Sequence, residues 1–91
     1  MNPSEDWKIS HIGVTPQFTR YVTTENNVRH RYTAKQVAFK EWLITRTNMS
    51  DTNDYDTETL YGKWPTVKSK IDGEIIPTFL LAQKFTLSED A

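Results

Sequence analysis

The sequence contains no cysteine, two histidines and only three glycines. The lack of cysteine excludes both a disulfide framework and a thiolate zinc site. The glycines, at positions 13, 62 and 73, are too far apart to form a loop that cradles phosphate groups. His11 and His30 have no acidic neighbour at the spacing of metal ligands. These absences predict a protein with no metal site and no cofactor.

Long hydrophobic runs are missing as well. The longest apolar stretch, residues 75–82, is interrupted by Pro77 and Thr78 and falls far short of the ~20 residues that cross a bilayer. The first residues have neither the basic region nor the apolar region of a secretory signal peptide. We therefore expect no membrane segment and an intracellular, cytoplasmic location, which for a viral protein would be the host cell.

Catalytic motifs are the third absence. No serine, threonine or lysine lies in a recognisable nucleophile motif. In a chain of 91 residues, a deep substrate pocket would also compete with the core for volume. The acidic stretch at residues 51–58 lacks the glycine turn and the closing glutamate of a calcium loop. The sequence thus predicts no enzymatic activity, no catalytic residue and no small-molecule substrate.

Aromatic side chains, by contrast, make up 12% of the chain, and its charge is unevenly distributed. A chain of this length builds one core, so we expect a single domain over residues 1–91, with a flexible start at 1–6 and a flexible end at 88–91. Residues 8–46 hold seven lysines and arginines against two glutamates, whereas residues 47–61 hold four carboxylates and no basic residue. This separation of charge is the clearest large-scale pattern in the chain.

Strand and turn signals in the first third of the chain favour an α+β fold. Three N-terminal antiparallel strands are expected over residues 7–14, 18–24 and 28–32, and Asn26-Asn27 predicts the hairpin turn between the last two. In this register Tyr21 would face Tyr32. Three strands followed by a helix resemble, in element order alone, small sheet-reading DNA-binding domains such as the integrase arm-binding domains.

The remainder of the chain predicts one main helix and a C-terminal β-hairpin. Residues 33–36 form a capping box, and the helix is expected at about 34–47. Residues 49–56 are expected to form a polar loop. Asp72-Gly73 predicts the turn of the C-terminal hairpin, while residues 78–85 suit either a strand or a helix.

The predicted helix would be apolar on two sides. Phe39 and Trp42 belong to the side that would face the core, whereas Val37 and Ile44 fall on nearly the opposite side. An apolar strip outside the core is typical of a docking surface for a partner or a second copy. The predicted partner-binding residues are Val37, Lys40, Glu41 and Ile44.

The predicted ribbon at residues 18–32 carries a second candidate surface. Its arginines would project from one side and could pair with phosphates, and an aromatic ring nearby could stack on an exposed base. The predicted nucleic-acid-binding residues are Phe18, Arg20, Arg29, Arg31 and Lys35.

Two hypotheses follow. The first is a non-enzymatic protein-interaction module that binds a protein partner or self-associates, such as the small accessory, inhibitor or assembly proteins that viruses and mobile elements encode. The alternative is a nucleic-acid-binding domain that uses the basic ribbon at residues 18–32. The slight net negative charge of −1 favours the first, because nucleic-acid-binding modules are usually basic overall.

Overall fold

In the computed structural model, which describes residues 6–13 and 15–90 without the side chains of residues 12 and 84–90, five strands are followed by a helix. The strands are β1 (Lys8–Ile12), β2 (Thr15–Thr23), β3 (Arg29–Ala38), β4 (Glu41–Asn48) and β5 (Asp51–Tyr61). The helical part comprises α1 (Trp64–Lys70), a π-helical segment (Ile71–Ile75) and α2 (Ile76–Asp90). The strands form one antiparallel sheet in the order β1-β2-β3-β4-β5, so each strand pairs with its neighbours in sequence.

The core lies between one face of this sheet and the helix. We call this side of the sheet the covered face and the opposite side the open face. Alternate residues of the strands point to the covered face. The buried apolar side chains that the strands contribute are Val22, Tyr32, Ala34, Trp42, Ile44 and Leu60. Val67, Ile71 and Ile76 of the helical part pack against them.

The predicted helix at residues 34–47 is wrong, because this segment forms the end of β3, a turn and most of β4. Buried residues of β4 recur at every second position, at Trp42, Ile44 and Arg46, which is the period of a strand. The predicted helix was apolar on two sides because it combined parts of two strands. The turn at Phe39 and Lys40 joins them, and Lys40 adopts a positive φ of 54°.

The predicted C-terminal hairpin is also wrong, since the chain is helical from Trp64 to Asp90. Pro65 occupies the first turn of α1, where its missing N–H costs nothing. Val67 and Ile71 are one helical turn apart and both are buried. Gly73 lies inside the π-helical segment rather than in a turn. A proline clashes with the carbonyl four residues earlier in a regular α-helix, so we attribute this local widening to Pro77.

The predicted polar loop at residues 49–56 belongs largely to β5, which runs along one edge of the sheet. Most of its side chains are exposed, so apolar residues gave no signal for this strand. The three N-terminal strands that were expected are therefore part of a five-stranded sheet. The α+β class is correct, but the arrangement within it is not.

The hairpin predicted at Asn26-Asn27 is present with a longer loop. Asn27 has a positive φ of 65°, as a tight turn requires. The loop is closed by Thr24, whose backbone N–H donates to the carbonyl of Val28 at 2.9 Å. As a result Tyr21 pairs with Arg31 instead of Tyr32. A shift of one residue turns one strand over relative to the other.

The two ends of the chain fall partly outside the described residues. The flexible start expected at residues 1–6 lies there except for Asp6, and so does Ala91 of the flexible end expected at 88–91. Residues 88–90 belong to α2. No helix within residues 6–13 and 15–90 is both long enough and apolar enough to cross a membrane.

Candidate functional site

The open face carries aromatic, basic and hydroxyl side chains in rows that run across the strands. One row is formed by Tyr21, Arg31, Thr47 and Tyr55, each paired with the next on the adjoining strand. The guanidinium of Arg29 lies over the ring of Tyr21, with its central carbon 4.1 Å from the ring centroid. The neighbouring row consists of Thr19, Thr33, Thr45 and Thr57. The face is therefore polar, with rings and cations set among hydroxyl groups.

The charge on the open face is predominantly positive. Lys8, Arg29, Arg31 and Lys35 all project from this side, because the residues that alternate with them face the helix. Among the strand residues with a regular pairing partner, Glu41 is the acidic residue on the open face. It lies at one end of the sheet, opposite Tyr61. Basic side chains on β1 and β3 thus give this face a net positive charge.

Two carboxylates of β5, those of Asp54 and Asp56, are bound on the covered face. Arg46, only 6% exposed, donates from Nη2 to Asp54 at 2.8 Å and to Asp56 at 2.7 Å. Its Nε also donates to Asp56 at 3.0 Å. The side chain of Asn48 donates to Asp54 at 3.2 Å. Two of the four carboxylates in the acidic segment are thereby neutralised away from the open face.

A buried histidine and an aromatic ring complete this cluster. Arg46 Nη1 lies 2.9 Å from Nδ1 of His30, and the ring of Phe79 from α2 packs 4.7 Å from both the His30 ring and the Arg46 guanidinium. Burial lowers the pKa of His30, and the positive charge of Arg46 lowers it further. Burial alone would lower the pKa of Arg46, but its hydrogen bonds with Asp54 and Asp56 outweigh this effect and raise it. The helix therefore covers a neutral imidazole and a charged guanidinium.

The residues predicted to bind nucleic acid are divided between the two faces. Arg29, Arg31 and Lys35 lie together on the open face. Phe18 instead stacks on Trp64 of α1, with the ring centroids 3.9 Å apart. Arg20 forms an ion pair with Asp72 at 2.7 Å on the covered face. The difference in register from the predicted hairpin accounts for this division.

The residues predicted to bind a protein partner are also separated. Lys40 and Glu41 lie at the β3–β4 turn, and Val37 beside it is 48% exposed. Ile44 is 2% exposed and belongs to the core. The predicted helix face that united these residues does not form. The binding role of each remains a prediction.

Sequence reasoning missed two aromatic residues of the open face. Tyr21 was expected to face Tyr32, and Tyr55 was expected in a polar loop. A signal was present for Tyr55, because it alternates with carboxylates in the run Tyr55-Asp56-Thr57-Glu58-Thr59, which has the period of a strand. Without apolar residues in that alternation, the strand was not recognised.

Comparison with protein-family models, curated proteins and solved structures finds no match to this chain.

Proposed function

We propose that this chain is a small non-enzymatic domain that binds single-stranded nucleic acid on its open face. The observation that carries this proposal is the division of charge between the two faces of the sheet. Lys8, Arg29, Arg31 and Lys35 lie on the open face. The β5 carboxylates that pair with Arg46 lie on the covered face.

The net negative charge of the chain is the main argument against nucleic-acid binding, and the division of charge between the two faces removes it. A net charge of −1 would weaken attraction to a phosphate backbone if the acidic residues shared the binding surface. Asp54 and Asp56 are instead held within 2.8 Å of Arg46 on the far side of the sheet. A nucleic-acid strand on the open face would mainly contact basic side chains. Neutralisation of its phosphates by these side chains would release counterions.

The aromatic and hydroxyl groups of the open face favour a single strand over a duplex. Tyr55 is 59% exposed, and such a ring can stack on an unpaired base, whereas the faces of paired bases are hidden inside a duplex. The threonine row offers hydroxyl groups to phosphates and sugars. Base stacking is tolerant of sequence, so we expect weak sequence preference. The absence of cysteine suits the reducing interior of a cell, where we place this activity.

A protein partner is the second candidate, favoured by one observation. Phe39 is 85% exposed, and Tyr61 and Val37 near it are 70% and 48% exposed. Exposed apolar side chains gathered at one end of a sheet are typical of interaction surfaces. Ile44 is 2% exposed, so this candidate surface consists of the exposed residues near the β3–β4 turn.

The first test measures binding of a fluorescein-labelled thymidine oligonucleotide of about 12 nucleotides, which is within the range of known single-strand site sizes. Arg29→Ala/Lys35→Ala should weaken binding roughly 10-fold or more at low salt. The slope of log affinity against log salt should fall by about 0.7 for each phosphate that the variant no longer neutralises. Fluorescence anisotropy at several salt concentrations gives both quantities.

The matched control is Lys68→Ala/Lys70→Ala, which removes the same charge from the helical part of the chain. It should bind the oligonucleotide almost as tightly as the original protein. Equal weakening in the two double variants would reduce the interaction to non-specific attraction and contradict a site on the open face. A duplex of the same length that binds as tightly as the single strand would contradict the proposed preference.

A further inference from the structure

The β3–β4 turn presents an aromatic ring and an ammonium group at one end of the sheet. Phe39 is 85% exposed, although a phenylalanine of a small domain is ordinarily at least half-buried. Lys40 has a positive φ of 54° and places its Nζ 5.3 Å from the centroid of the Phe39 ring. One face of this ring thus lies beside a cation.

A pocket of about 480 Å³ lies between this turn and the start of α1. Its volume is within the range of small-ligand sites. The residues that line it are Gln36, Phe39, Lys40, Trp42, Gly62, Lys63 and Trp64. It therefore combines three aromatic rings, one side-chain amide and two ammonium groups.

The charge of the pocket is positive and uncompensated. Among the residues that the structure describes, neither Lys40 nor Lys63 forms an ion pair, and no carboxylate lines the pocket. Glu41, the nearest acid in sequence, alternates with buried Trp42 and so belongs to the open face. An anionic ligand would be attracted to this pocket.

The walls of the pocket are held in place by hydrogen bonds. The indole Nε1 of Trp42 donates to the carbonyl of Gly62 at 3.0 Å, and the backbone N–H of Gly62 donates to the carbonyl of Lys40 at 2.8 Å. Trp64 is stacked on Phe18 and cannot turn freely. A ligand would meet a preformed base of the pocket, whereas the exposed side chains of Phe39, Lys40 and Lys63 would become ordered on binding.

We infer that this pocket binds a nucleoside phosphate. The base stacks on Phe39, and the phosphate lies between the ammonium groups of Lys40 and Lys63. This site is separate from the open face and does not depend on it. The same chemistry is offered by a free mononucleotide and by the phosphorylated end of a nucleic-acid strand.

The test titrates the protein with adenosine monophosphate, adenosine and ribose 5-phosphate, which separate the contribution of the base from that of the phosphate. Binding is followed by NMR through the backbone N–H of Gly62 and the indole N–H of Trp42. Adenosine monophosphate should shift both signals with a dissociation constant of about a millimolar or lower. The two partial ligands should each bind more weakly.

The variants identify the groups responsible. Phe39→Ala should weaken binding of the monophosphate by about 5-fold or more, whereas Phe39→Trp should retain it. Lys40→Asn removes the charge with a residue that tolerates positive φ. This variant and Lys63→Gln should each weaken binding of the monophosphate but leave that of adenosine unchanged. Lys70→Gln, with the same loss of charge on the helical part, should have no effect.

A last comparison distinguishes the two sources of the ligand, using a 5′-phosphorylated and an unphosphorylated oligonucleotide on the Arg29→Ala/Lys35→Ala background. A stronger shift of the Gly62 signal by the phosphorylated strand than by the monophosphate would assign the site to strand ends. A stronger shift by the monophosphate would assign it to free nucleotides. No shift with millimolar monophosphate, or binding that Phe39→Ala leaves intact, would overturn the inference. Self-association that Phe39→Ala abolishes, with no nucleotide binding, would overturn it in favour of a protein contact.

Discussion

The guanidinium of Arg46 is buried, whereas the carboxylates that neutralise it remain in contact with water. Arg46 is 6% exposed, while Asp54 and Asp56 are 47% and 74% exposed. An exposed carboxylate that loses its partner can be solvated, but a buried guanidinium cannot. The guanidinium of Arg46 also packs against the ring of Phe79, with its central carbon 4.7 Å from the ring centroid. The residue therefore acts both as a charge partner and as a core side chain.

We expect Arg46→Ala to destabilise the protein by about 2–4 kcal/mol, mainly through the space that it leaves beneath Phe79. Arg46→Met retains most of the side-chain volume without the charge. This variant should lose about 1 kcal/mol or less, because a buried ion pair contributes little beyond well-packed apolar atoms. Urea unfolding of the two variants checks this. Equal destabilisation of the two variants would show that the charge, and not the packing, governs the stability of this cluster.

At the scale of the elements, one local signal was correct and two were wrong: the Asn26-Asn27 turn is present, whereas the capping box at residues 33–36 lies in β3 and Asp72-Gly73 lies in a helical segment. The Asn26-Asn27 hairpin was found from its turn residues, although not its register. The β3–β4 hairpin was not found, because residues 33–36 match a capping box and the turn at Phe39-Lys40 contains neither glycine nor asparagine. Pairing with β2 and β5 favours strands here, and such pairing between distant segments cannot be deduced from local patterns.

Substitutions of two aromatic residues distinguish the β3–β4 hairpin from the helix that was predicted there. In the predicted helix Phe39 and Trp42 would share the core face, whereas in the hairpin Trp42 is 4% exposed and Phe39 is 85% exposed. Trp42→Ala should cost ~3–5 kcal/mol of stability. Phe39→Ala should change it by less than about 0.5 kcal/mol. Thermal unfolding of both variants measures the difference, and a large destabilisation by Phe39→Ala would contradict the exposed turn.

At the scale of the whole molecule, the candidate interface depends on which way each charged side chain faces. The sequence shows a basic half and an acidic segment, and this order along the chain was correctly recognised. The faces follow only from the register of five strands, and one residue of error in β2 placed Arg20 with Arg29. Arg29 and Arg31 could be identified as a basic pair because they alternate within the predicted strand at residues 28–32, whereas Lys35 was predicted in the helix and joins them only because β3 continues to Ala38. Tyr55 and the pairing of Asp54 with Arg46 depend on β5, which the sequence did not reveal.

Because the cluster on the covered face holds the helix against the sheet, the stability of the whole fold should depend on pH. The pKa of His30 is lowered below its usual 6.5, so the unfolded chain takes up a proton before the folded one. The stability that this shift contributes is complete above about pH 6.5 and is lost as the pH falls toward the pKa of folded His30. The pKa of Asp54 is lowered below 3.8, chiefly by its hydrogen bond with Arg46. Its contribution is present above that value and is lost as the pH falls further.

The urea concentration at the midpoint of unfolding should therefore fall in two steps as the pH is lowered from 8 to 3. The first step is expected below about pH 6.5, and the second begins below about pH 3.8. His30→Gln should remove the first step and keep the second, while His11→Gln, at an exposed position, should keep both. Asp54→Asn should reduce the second step and should not reduce the first, because the carboxylate of Asp54 raises the pKa of His30 and its loss lowers that pKa further. Unchanged stability between pH 7 and 5 in the original protein would contradict a neutral, buried His30, since a histidine with the same pKa in both states contributes no dependence on pH. The open face lies on the far side of the sheet from His30, so the charge of the open face should be retained across the first step. Oligonucleotide binding should therefore persist at pH 6 as long as the protein remains folded.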